Sequence, residues 1–293
     1  TAVFTNLTRD HLDEHGDFKS YGEAKRKLFT IPGLKAAVLN ADDAYAATIA
    51  AGLSPDCTLL RTSLRGSAVE LWARLERSTL DGVELAVSGK FGAARLASKL
   101  IGAFNAENLL SALGALVAQG VALPAACAAL AAARPAPGRM EVLGGPPGRP
   151  WVVVDYAHTP DALQRVLTTL EGAVTGELWC VFGCGGDRDR GKRSMMGAVA
   201  ADLADRIVLT DDNPRSEDPT DIVDDILAGV GEHPRVSVIH DRRAAIAAAI
   251  ERARAGDVVL VAGKGHEAEQ LVGGERRAFS DRAVVSELLG VAP

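Results

Sequence analysis

The sequence predicts an α/β protein whose later part forms a parallel sheet with helices on both faces. From about residue 150 onward, short apolar runs alternate with helical runs, which is the pattern of β-α-β units. Each apolar run stops in glycine or charged residues, as buried parallel strands do where they meet loops. A Pro- and Gly-rich segment, residues 134–149, divides a chain of 293 residues that is long enough for two domains with full cores.

In the first part of the chain, apolar residues recur both at helical spacing and in short strand-like runs. We expect helices over about 20–29, over 44–51 and 102–119, and from Pro124 onward. We expect strands over 1–7, 36–40, 58–60, 68–76 and 83–88. Partial alternation in the last three indicates an antiparallel excursion at the edge of the sheet.

The second part alternates regularly between strands and helices. The predicted strands are 152–155, 178–183, 207–210, 236–240 and 258–261. The predicted helices are 160–170, about 196–203, 222–229, 242–255 and 281–289. Polar clusters follow four of these strands, at 155–158, 183–193, 211–215 and 263–267. Because parallel strands place their carboxyl ends on one edge of the sheet, the sequence predicts a ligand site there.

The composition favours small-molecule partners. The formal net charge is −6 with 47% hydrophobic residues, so there is no electrostatic footprint for nucleic acid or an anionic membrane. The four cysteines lack C-x-x-C spacing, which indicates reduced thiols in a cytoplasmic protein. The chain begins at Thr1, without methionine and inside an apparent strand, and we therefore expect an upstream portion.

Residues 186–193 have the spacing G-x-x-x-x-G-K of a phosphate-binding loop, but Arg193 stands where such a loop has Ser or Thr. Two aspartates inside the segment would also oppose polyphosphate binding. We interpret the segment instead as a cationic loop for a carboxylate-bearing substrate, since arginine grips carboxylates with paired hydrogen bonds. Its cations are Arg188, Arg190, Lys192 and Arg193.

His11, Glu14 and His15 spell H-x-x-E-H, a zinc-hydrolase pattern when it lies on a helix. Gly16 and Asp17 argue against a continuing helix, and a third ligand is not evident downstream. One histidine that helps to bind Mg²⁺ and a plain surface loop are the alternatives.

Six ordered segments, spread over essentially the whole chain, resemble the Mur ligases of peptidoglycan synthesis. They are TNLTRDHLDEHGDF, AFNAENLL, DYAHTPDAL, FGCGGDRDRGKR, TDDNPRSEDP and VLVAGKGHE. The resemblance implies part of an α/β P-loop-type ATPase central domain at 1–137 and a C-terminal Rossmann-like, amino-acid-binding domain at 138–293. The family's UDP-binding domain and its GTNGKT-type loop have no counterpart in this sequence.

The resemblance implies an ATP-dependent amide ligase that adds meso-diaminopimelate to UDP-N-acetylmuramoyl-L-alanyl-D-glutamate (UDP-MurNAc-dipeptide) through an acyl phosphate. The implied cofactors are ATP and Mg²⁺, and the implied partners are these small molecules, with a cytoplasmic monomer and neither nucleic acid nor membrane. Without the phosphate loop, we expect the chain to be inactive alone.

The resemblance also assigns roles to individual residues. His11 matches a Mg²⁺ ligand, and Lys25 matches a lysine carbamylated in the family, which gives the hard cation an anionic oxygen. Positions that match nucleotide contacts are Asn105, Arg139, Asp155 and His158. Positions that match the diaminopimelate pocket are Arg188, Asp212, Asn213, Pro214, Arg215, Gly263 and Glu267. There the arginines would pair with carboxylates and the glutamate with an ammonium group.

Other interpretations stay open at this stage. By composition alone, Asp155 ends a strand, Arg139 is a linker charge and Lys25 is a surface residue. The chain could be a non-catalytic amino-acid-binding module, the lysine-adding ligase of the same family, or a zinc hydrolase. The lysine-adding members replace the arginine at position 215. Metal content, ATP turnover and titration with diaminopimelate and lysine would separate these hypotheses.

Overall fold

A computed structural model describes residues 1–8, 17–145, 148–232 and 234–291. The chain forms two compact units, Thr1–Arg134 and Pro135–Pro293. The fold is mixed α/β with largely parallel sheets, as the sequence predicts. Among the residues that the structure describes, no helix is long and apolar enough to cross a membrane.

The first unit is built on a six-stranded sheet whose strands lie in sequence order. Its strands are β1 (Ala2–Phe4), β2 (Ala36–Asn40), β3 (Thr58–Ser63), β4 (Leu71–Thr79), β5 (Gly82–Gly89) and β6 (Gly92–Ser98). Strands β1 to β4 pair in parallel, and β4 to β6 form an antiparallel meander at one edge. The predicted antiparallel excursion is therefore confirmed for β4 and β5, whereas β3, which contains the predicted segment 58–60, pairs in parallel with both neighbours. The sequence analysis missed β6, because its sequence GAARLAS has few β-branched or aromatic residues.

Helices cover both faces of this sheet. They are α1 (Phe18–Lys27), which runs into a 3₁₀ turn (Leu28–Thr30), α2 (Tyr45–Ala51), α3 (Ala103–Ala118) and α4 (Leu123–Ala131). Helix α1 begins where the Asp17 carboxylate accepts a hydrogen bond from Ser20 N at 2.7 Å, which is an N-cap. Helix α3 packs closely on the sheet at Gly114, where a Cβ would lie 2.7 Å from Val38 Cγ1.

The second unit contains a six-stranded sheet in the order β11-β10-β9-β12-β8-β7. Its strands are β7 (Glu141–Gly144), β8 (Trp151–Asp155), β9 (Leu178–Phe182), β10 (Arg206–Leu209), β11 (Val236–Val238) and β12 (Val258–Ala262). All pair in parallel except β7, which is antiparallel to β8. A separate hairpin, β13 (Glu269–Val272) and β14 (Glu275–Ala278), follows β12. Strand β7 and the hairpin are absent from the sequence prediction.

Five helices complete the second unit. They are α5 (Pro160–Glu171), α6 (Gly191–Leu203), α7 (Pro219–Val230), α8 (Arg242–Arg252) and α9 (Asp281–Leu289). Four of them start at side-chain N-caps, on Thr159, Asp218, Asp241 and Ser280. Helix α6 begins at Gly191, earlier than predicted, so Lys192 and Arg193 belong to a helix rather than to a loop.

The connections of the second unit diverge between β9 and β12. After β9 the chain passes through α6 to β10, on one side. After β12 it continues through the hairpin to α9, which packs against β7 and β8, on the other side. Open α/β sheets have a crevice at the carboxyl ends of strands where the direction of connection reverses. This crevice therefore lies between the ends of β9 and β12.

Candidate functional site

Two glycines allow neighbouring atoms to approach closely at the floor of the crevice. Gly183 follows β9, and a Cβ there would lie 1.9 Å from the carbonyl oxygen of Thr210. Gly263 follows β12 with φ +113°, and its Cβ would lie 2.7 Å from Asp212 Oδ2. Side chains at either position would strain the backbone or collide with it. Burial raises the pKa of Asp212, although the charges of Arg242 and Lys264 oppose this.

Arg215 is held on two sides. Its backbone N–H donates to Leu271 O at 3.0 Å, and its carbonyl accepts from Gly273 N at 2.8 Å, so the β13–β14 hairpin fixes its main chain. Its φ of +54° is uncommon for a residue with a side chain. The guanidinium donates from Nη1 to Gly186 O at 2.6 Å. Four of its five N–H donors have no hydrogen-bond partner within the described chain.

Arg188 lies beside Arg215. A Cβ on Gly185 would be 2.9 Å from Arg215 Nη1 and 3.8 Å from Arg188 Cγ, so the two arginines flank this glycine. Arg188 is exposed and makes no hydrogen bond or ion pair within the described ranges. The prediction that Arg215 lies near Arg188 is therefore confirmed. Arginine side chains carry paired N–H donors of the kind that bind carboxylates.

Asn213, Lys264 and Glu267 form a hydrogen-bonded cluster next to these arginines. Lys264 Nζ donates to Asn213 Oδ1 at 3.0 Å and to Glu267 Oε2 at 2.9 Å. Asn213 Nδ2 donates to the same Oε2 at 2.9 Å. Burial, the largest influence, raises the pKa of Glu267, but these hydrogen bonds and the charge of Arg215 hold that pKa below its ordinary value. The cluster therefore keeps a carboxylate ionised, as an ammonium ligand requires.

Lys264 was not among the predicted site residues. Its signal in the sequence was its place between two glycines immediately after a buried strand. A lysine in such a loop is ordinarily exposed, whereas here the side chain is fully buried.

The loops after β9 and β10 are joined by several hydrogen bonds. Gly186 N donates to Asn213 O at 2.9 Å, and a Cβ on Gly186 would lie 1.9 Å from the carbonyl oxygen of Pro214. The Asp187 carboxylate accepts from Ser216 N and from Ser216 Oγ, the latter at 2.7 Å. These contacts hold the loop segments that carry Arg188 and Arg215 next to each other.

The interpretation of residues 186–193 as a loop carrying four ligand-binding cations needs correction. Arg193 is fully buried and pairs with Glu217 at 2.8 Å and with Asp225 at 2.9 Å. Arg190 also pairs with Glu217, at 2.7 Å, and Lys192 Nζ donates to His158 O at 2.9 Å. A buried cation needs such partners. Of the four predicted cations, therefore, Arg188 is the one without a partner in the part of the chain that the structure describes.

A second cluster lies at the end of β8. The buried Asp155 carboxylate accepts from Met140 N at 2.7 Å and from Ala157 N at 2.8 Å. Burial raises the pKa of Asp155, although these hydrogen bonds and the nearby cations oppose it. Both oxygens therefore fix the backbone around the strand end, the role that composition alone suggested.

Tyr156, which follows Asp155 in the chain, contacts an arginine and two histidine rings. The Arg139 guanidinium lies 4.5 Å from the Tyr156 ring centroid. The rings of His158 and His266 lie 4.6 Å and 5.2 Å from that of Tyr156. His158 Nδ1 lies 2.8 Å from Tyr156 O, and because a carbonyl only accepts, Nδ1 carries the proton. Tyr156 and His266 were not predicted as site residues, although both belong to the polar clusters that the sequence showed.

The remaining predicted residues belong to the first unit. Lys25 is half-buried, donates to Asn6 O at 3.1 Å and lies 5.0 Å from the Tyr21 ring centroid. Asn105 Nδ2 donates to Ile101 O at 2.9 Å, and its Oδ1 accepts from Asn108 at 3.2 Å. His11, together with the whole H-x-x-E-H pattern, lies outside the described residues. Across the described residues, there is no cluster of three or more His, Cys, Asp or Glu suited to a metal ion.

Two family models match the chain in succession. Residues 1–116 match the Mur ligase middle domain, and residues 138–265 match the Mur ligase glutamate ligase domain. A protein of Chromobacterium violaceum named UDP-N-acetylmuramoyl-L-alanyl-D-glutamate--2,6-diaminopimelate ligase is 53% identical over 99% of this chain. A protein of the same name from Alkalilimnicola ehrlichii is 51% identical. This chain spans 58% of the length of each.

Solved structures agree with these matches. A structure of UDP-N-acetylmuramoyl-L-alanyl-D-glutamate--2,6-diaminopimelate ligase has a TM-score of 0.70 and 43% identity, and it covers 99% of this chain with 60% of its own length. MurF ligase from Thermotoga maritima in complex with ADP has a TM-score of 0.69 over 98% of this chain and 60% of its own. At 17% identity it shows the fold alone. The two successive domain matches and the shared fold show that the chain belongs to the Mur ligase family.

Proposed function

We propose that the chain is the amino-acid-binding part, with part of the ATPase domain, of an ATP-dependent ligase. The whole enzyme would join meso-diaminopimelate to UDP-N-acetylmuramoyl-L-alanyl-D-glutamate. The observation that carries the proposal is the single crevice edge on which Arg188 and Arg215 lie beside an ionised Glu267. The names of the 53% and 51% identical relatives support the same assignment.

The charges of this edge fit a zwitterion with two carboxylates and two amines. Arg188 and Arg215 would pair with carboxylate, and Glu267 with an ammonium group. Lysine carries one carboxylate, so it would leave an arginine without its partner. Because an unpaired buried or half-buried charge is costly, this edge favours diaminopimelate over lysine.

The nucleotide and metal assignments belong to the same proposal. In the second unit, Arg139, Asp155 and His158 would contact ATP, and the rings of Tyr156 and His158, tilted by 59° with centroids 4.6 Å apart, offer aromatic surface for a planar base. In the first unit, Asn105 would contact the nucleotide, and His11 with a carbamylated Lys25 would hold Mg²⁺. An uncarbamylated Lys25 has only donors and does not fit a cation. Bound Mg²⁺ would neutralise charge developing on the transferred phosphoryl group.

We further propose that residues 1–137 act as the ATPase portion and 138–293 as the amino-acid-binding portion, in a monomeric cytoplasmic enzyme. The functional division follows the two family matches, at 1–116 and 138–265. The partners of this enzyme would be its small-molecule substrates: ATP, meso-diaminopimelate and UDP-MurNAc-dipeptide.

Amino-acid preference tests the proposal. In the protein extended to the length of its relatives, Arg215→Ala should lower kcat/KM for diaminopimelate by about 30-fold or more, since truncating one partner of a desolvated charge pair costs about 2 to 5 kcal/mol. The value of kcat/KM for lysine should change far less. Arg235→Ala, at an arginine whose side chain is 50% exposed and paired with Glu177, is the matched control. An unchanged preference between the two amino acids would overturn the assignment.

ATP turnover tests the interpretation of residues 186–193. The buried Arg193 and the engaged Lys192 leave this segment without the groups that bind a polyphosphate, so we expect the 293-residue chain to release no phosphate from ATP above background. The measurement compares it with the extended protein, with Mg²⁺ and both substrates present. Similar turnover by the two proteins would mean that this segment is a working phosphate loop.

A further inference from the structure

Lys264 is a fully buried cation at the end of β12, between Gly263 and Gly265. Removing an ammonium group from water is costly unless hydrogen bonds and an opposite charge compensate. Its two side-chain partners are Asn213 Oδ1 at 3.0 Å and Glu267 Oε2 at 2.9 Å. Both partners belong to the proposed amino-acid pocket, and the side chain of Lys264 itself has no exposed surface from which to bind a ligand.

We propose that Lys264 is a positioning residue that orients Asn213 and Glu267 so that one oxygen of Glu267 is left to bind the ligand's amine. The inference rests on the proposed function and names how that pocket would recognise an ammonium group.

The orientation of Asn213 follows from hydrogen-bond chemistry. Lys264 has only donors, so it must face the amide oxygen of Asn213. Leu271 N, a second donor, reaches the same oxygen at 3.0 Å. The amide nitrogen is thereby turned toward Glu267, where it donates to Oε2 at 2.9 Å. Without Lys264, the preference for this orientation over the flipped amide would weaken.

The same hydrogen bonds make the two carboxylate oxygens of Glu267 different from each other. Oε2 accepts from both Lys264 and Asn213. Oε1 accepts no hydrogen bond within the described residues. A carboxylate oxygen without a protein donor, next to one that is saturated, is suited to accept from an ammonium ligand. Lys264 therefore determines both which oxygen is open and where it lies.

The charge of Lys264 also keeps Glu267 ionised. Burial raises the pKa of Glu267, and hydrogen bonds from Lys264 and Asn213 lower it below the ordinary value. Other ionisable groups that act on Glu267 or respond to it are Arg215, Asp212, Tyr156 and Arg242. A carboxylate with a depressed pKa binds an ammonium down to low pH and loses it as pH falls through that pKa. Removing Lys264 should raise this pKa, so the acid limit of binding should move to higher pH.

The experiment uses the protein extended to the length of its relatives, with Lys264→Met, Lys264→Gln and Lys264→Arg. The Met and Gln variants should raise KM for diaminopimelate by about tenfold or more, which is the effect expected from losing a hydrogen bond to a charged group. Their KM for ATP should be unchanged. Met and Gln should also move the acid limb of kcat/KM for diaminopimelate upward by about one pH unit. Arg keeps the charge and should leave the acid limb in place even where it disturbs packing. Lys90→Met, at an exposed lysine of the first unit, is the control.

The outcomes separate a positioning role from a structural one. A structural role would lower stability in all three variants and leave the acid limb unmoved, which would overturn the inference while the proposed function stands. If Lys264→Met does not fold, the difference in acid limb between Lys264→Gln and Lys264→Arg distinguishes the two roles in the same way. Absence of diaminopimelate-dependent turnover in the unsubstituted extended protein would overturn the proposed function and this inference with it.

Discussion

The ion pair between Arg242 and Asp281 should be the most sensitive electrostatic element of the second unit. Both side chains are fully buried. The guanidinium donates from Nε and Nη2 to the two carboxylate oxygens, each at 2.8 Å. Nη2 also donates to Ala262 O at 2.8 Å. This one side chain therefore joins the first turns of α8 and α9 to the end of β12.

The expected magnitude depends on how the pair is broken. Arg242→Ala leaves the Asp281 carboxylate buried without its partner, which should destabilise the second unit by about 3 to 5 kcal/mol. The double substitution Arg242→Met with Asp281→Leu removes both charges and retains apolar volume. It should be considerably more stable than Arg242→Ala, because replacing a buried pair by apolar residues is often neutral. Arg243→Ala breaks an adjacent exposed pair with Glu287 and should cost about 1 kcal/mol or less.

The assay is urea unfolding followed by tryptophan fluorescence. The chain has three tryptophans, so a Trp72→Phe background leaves Trp151 and Trp179 to report on the second unit alone. Equal losses of stability for Arg242→Ala and Arg243→Ala would refute the reasoning. So would a double variant as unstable as the single one, since the cost would then come from lost packing rather than from an unpaired charge.

Three further predictions concern packing, reactivity and pH. Gly229→Ala should destabilise the second unit by about 1 to 3 kcal/mol, because the added Cβ would lie 1.7 Å from Ser194 O between α6 and α7. Gly172→Ala is the control: the atoms nearest to its Cβ are 3.9 Å away, so it should have little effect in the same urea assay. Burial raises the pKa of Cys184 to about 12, so mass spectrometry should detect no alkylation of this thiol at pH 8 until urea unfolds the protein. Hydrogen bonds, first from Arg193, lower the pKa of Glu217 to about 2. The stabilising contribution of the Glu217 carboxylate should therefore be complete above its ordinary pKa of about 4.5 and be lost as pH falls toward 2. In acid unfolding followed by circular dichroism, Glu217→Gln should lose less stability over that pH range than the unsubstituted protein.

Each of these has a contradicting result. Equal stabilities of the two glycine variants would mean that α6 and α7 separate at little cost. Rapid alkylation of Cys184 in the folded protein would place that thiol at the surface. An acid-unfolding profile that Glu217→Gln leaves unchanged would show that the carboxylate contributes equally in the folded and unfolded chains.

The parallel core could be predicted because its signal is local. Strands β9 and β12 are entirely buried, so each appears in the sequence as a continuous apolar run that is preceded by an acidic residue and followed by glycine. The polar residues that follow them meet because all parallel strands end on one edge. Composition and order along the chain were therefore sufficient to predict the parallel strands and the edge at which their polar residues meet.

Other features depend on contacts between distant residues. The burial of Arg193 requires Glu217 and Asp225, which lie in another loop and another helix, so its local sequence gave no sign of it. The β13–β14 hairpin is charged and largely exposed, and it lacks the apolar alternation by which strands are recognised. Yet this hairpin fixes the main chain of Arg215, so the missed element determines part of the candidate site.

The hydrogen bonds that link the loops after β9 and β10 have a consequence for the thermodynamics of binding. Gly186 is bonded to Asn213, and Asp187 to Ser216, so the two loops hold each other through the protein's own hydrogen bonds. A ligand that binds at this edge would need to order little backbone, so the entropic cost of association would arise mainly from the ligand itself. Titration calorimetry should then show a small heat-capacity change, since little apolar surface is newly buried. The association rate should depend on ionic strength through the exposed Arg188 and the half-buried Arg215 rather than on a slow rearrangement of the loops.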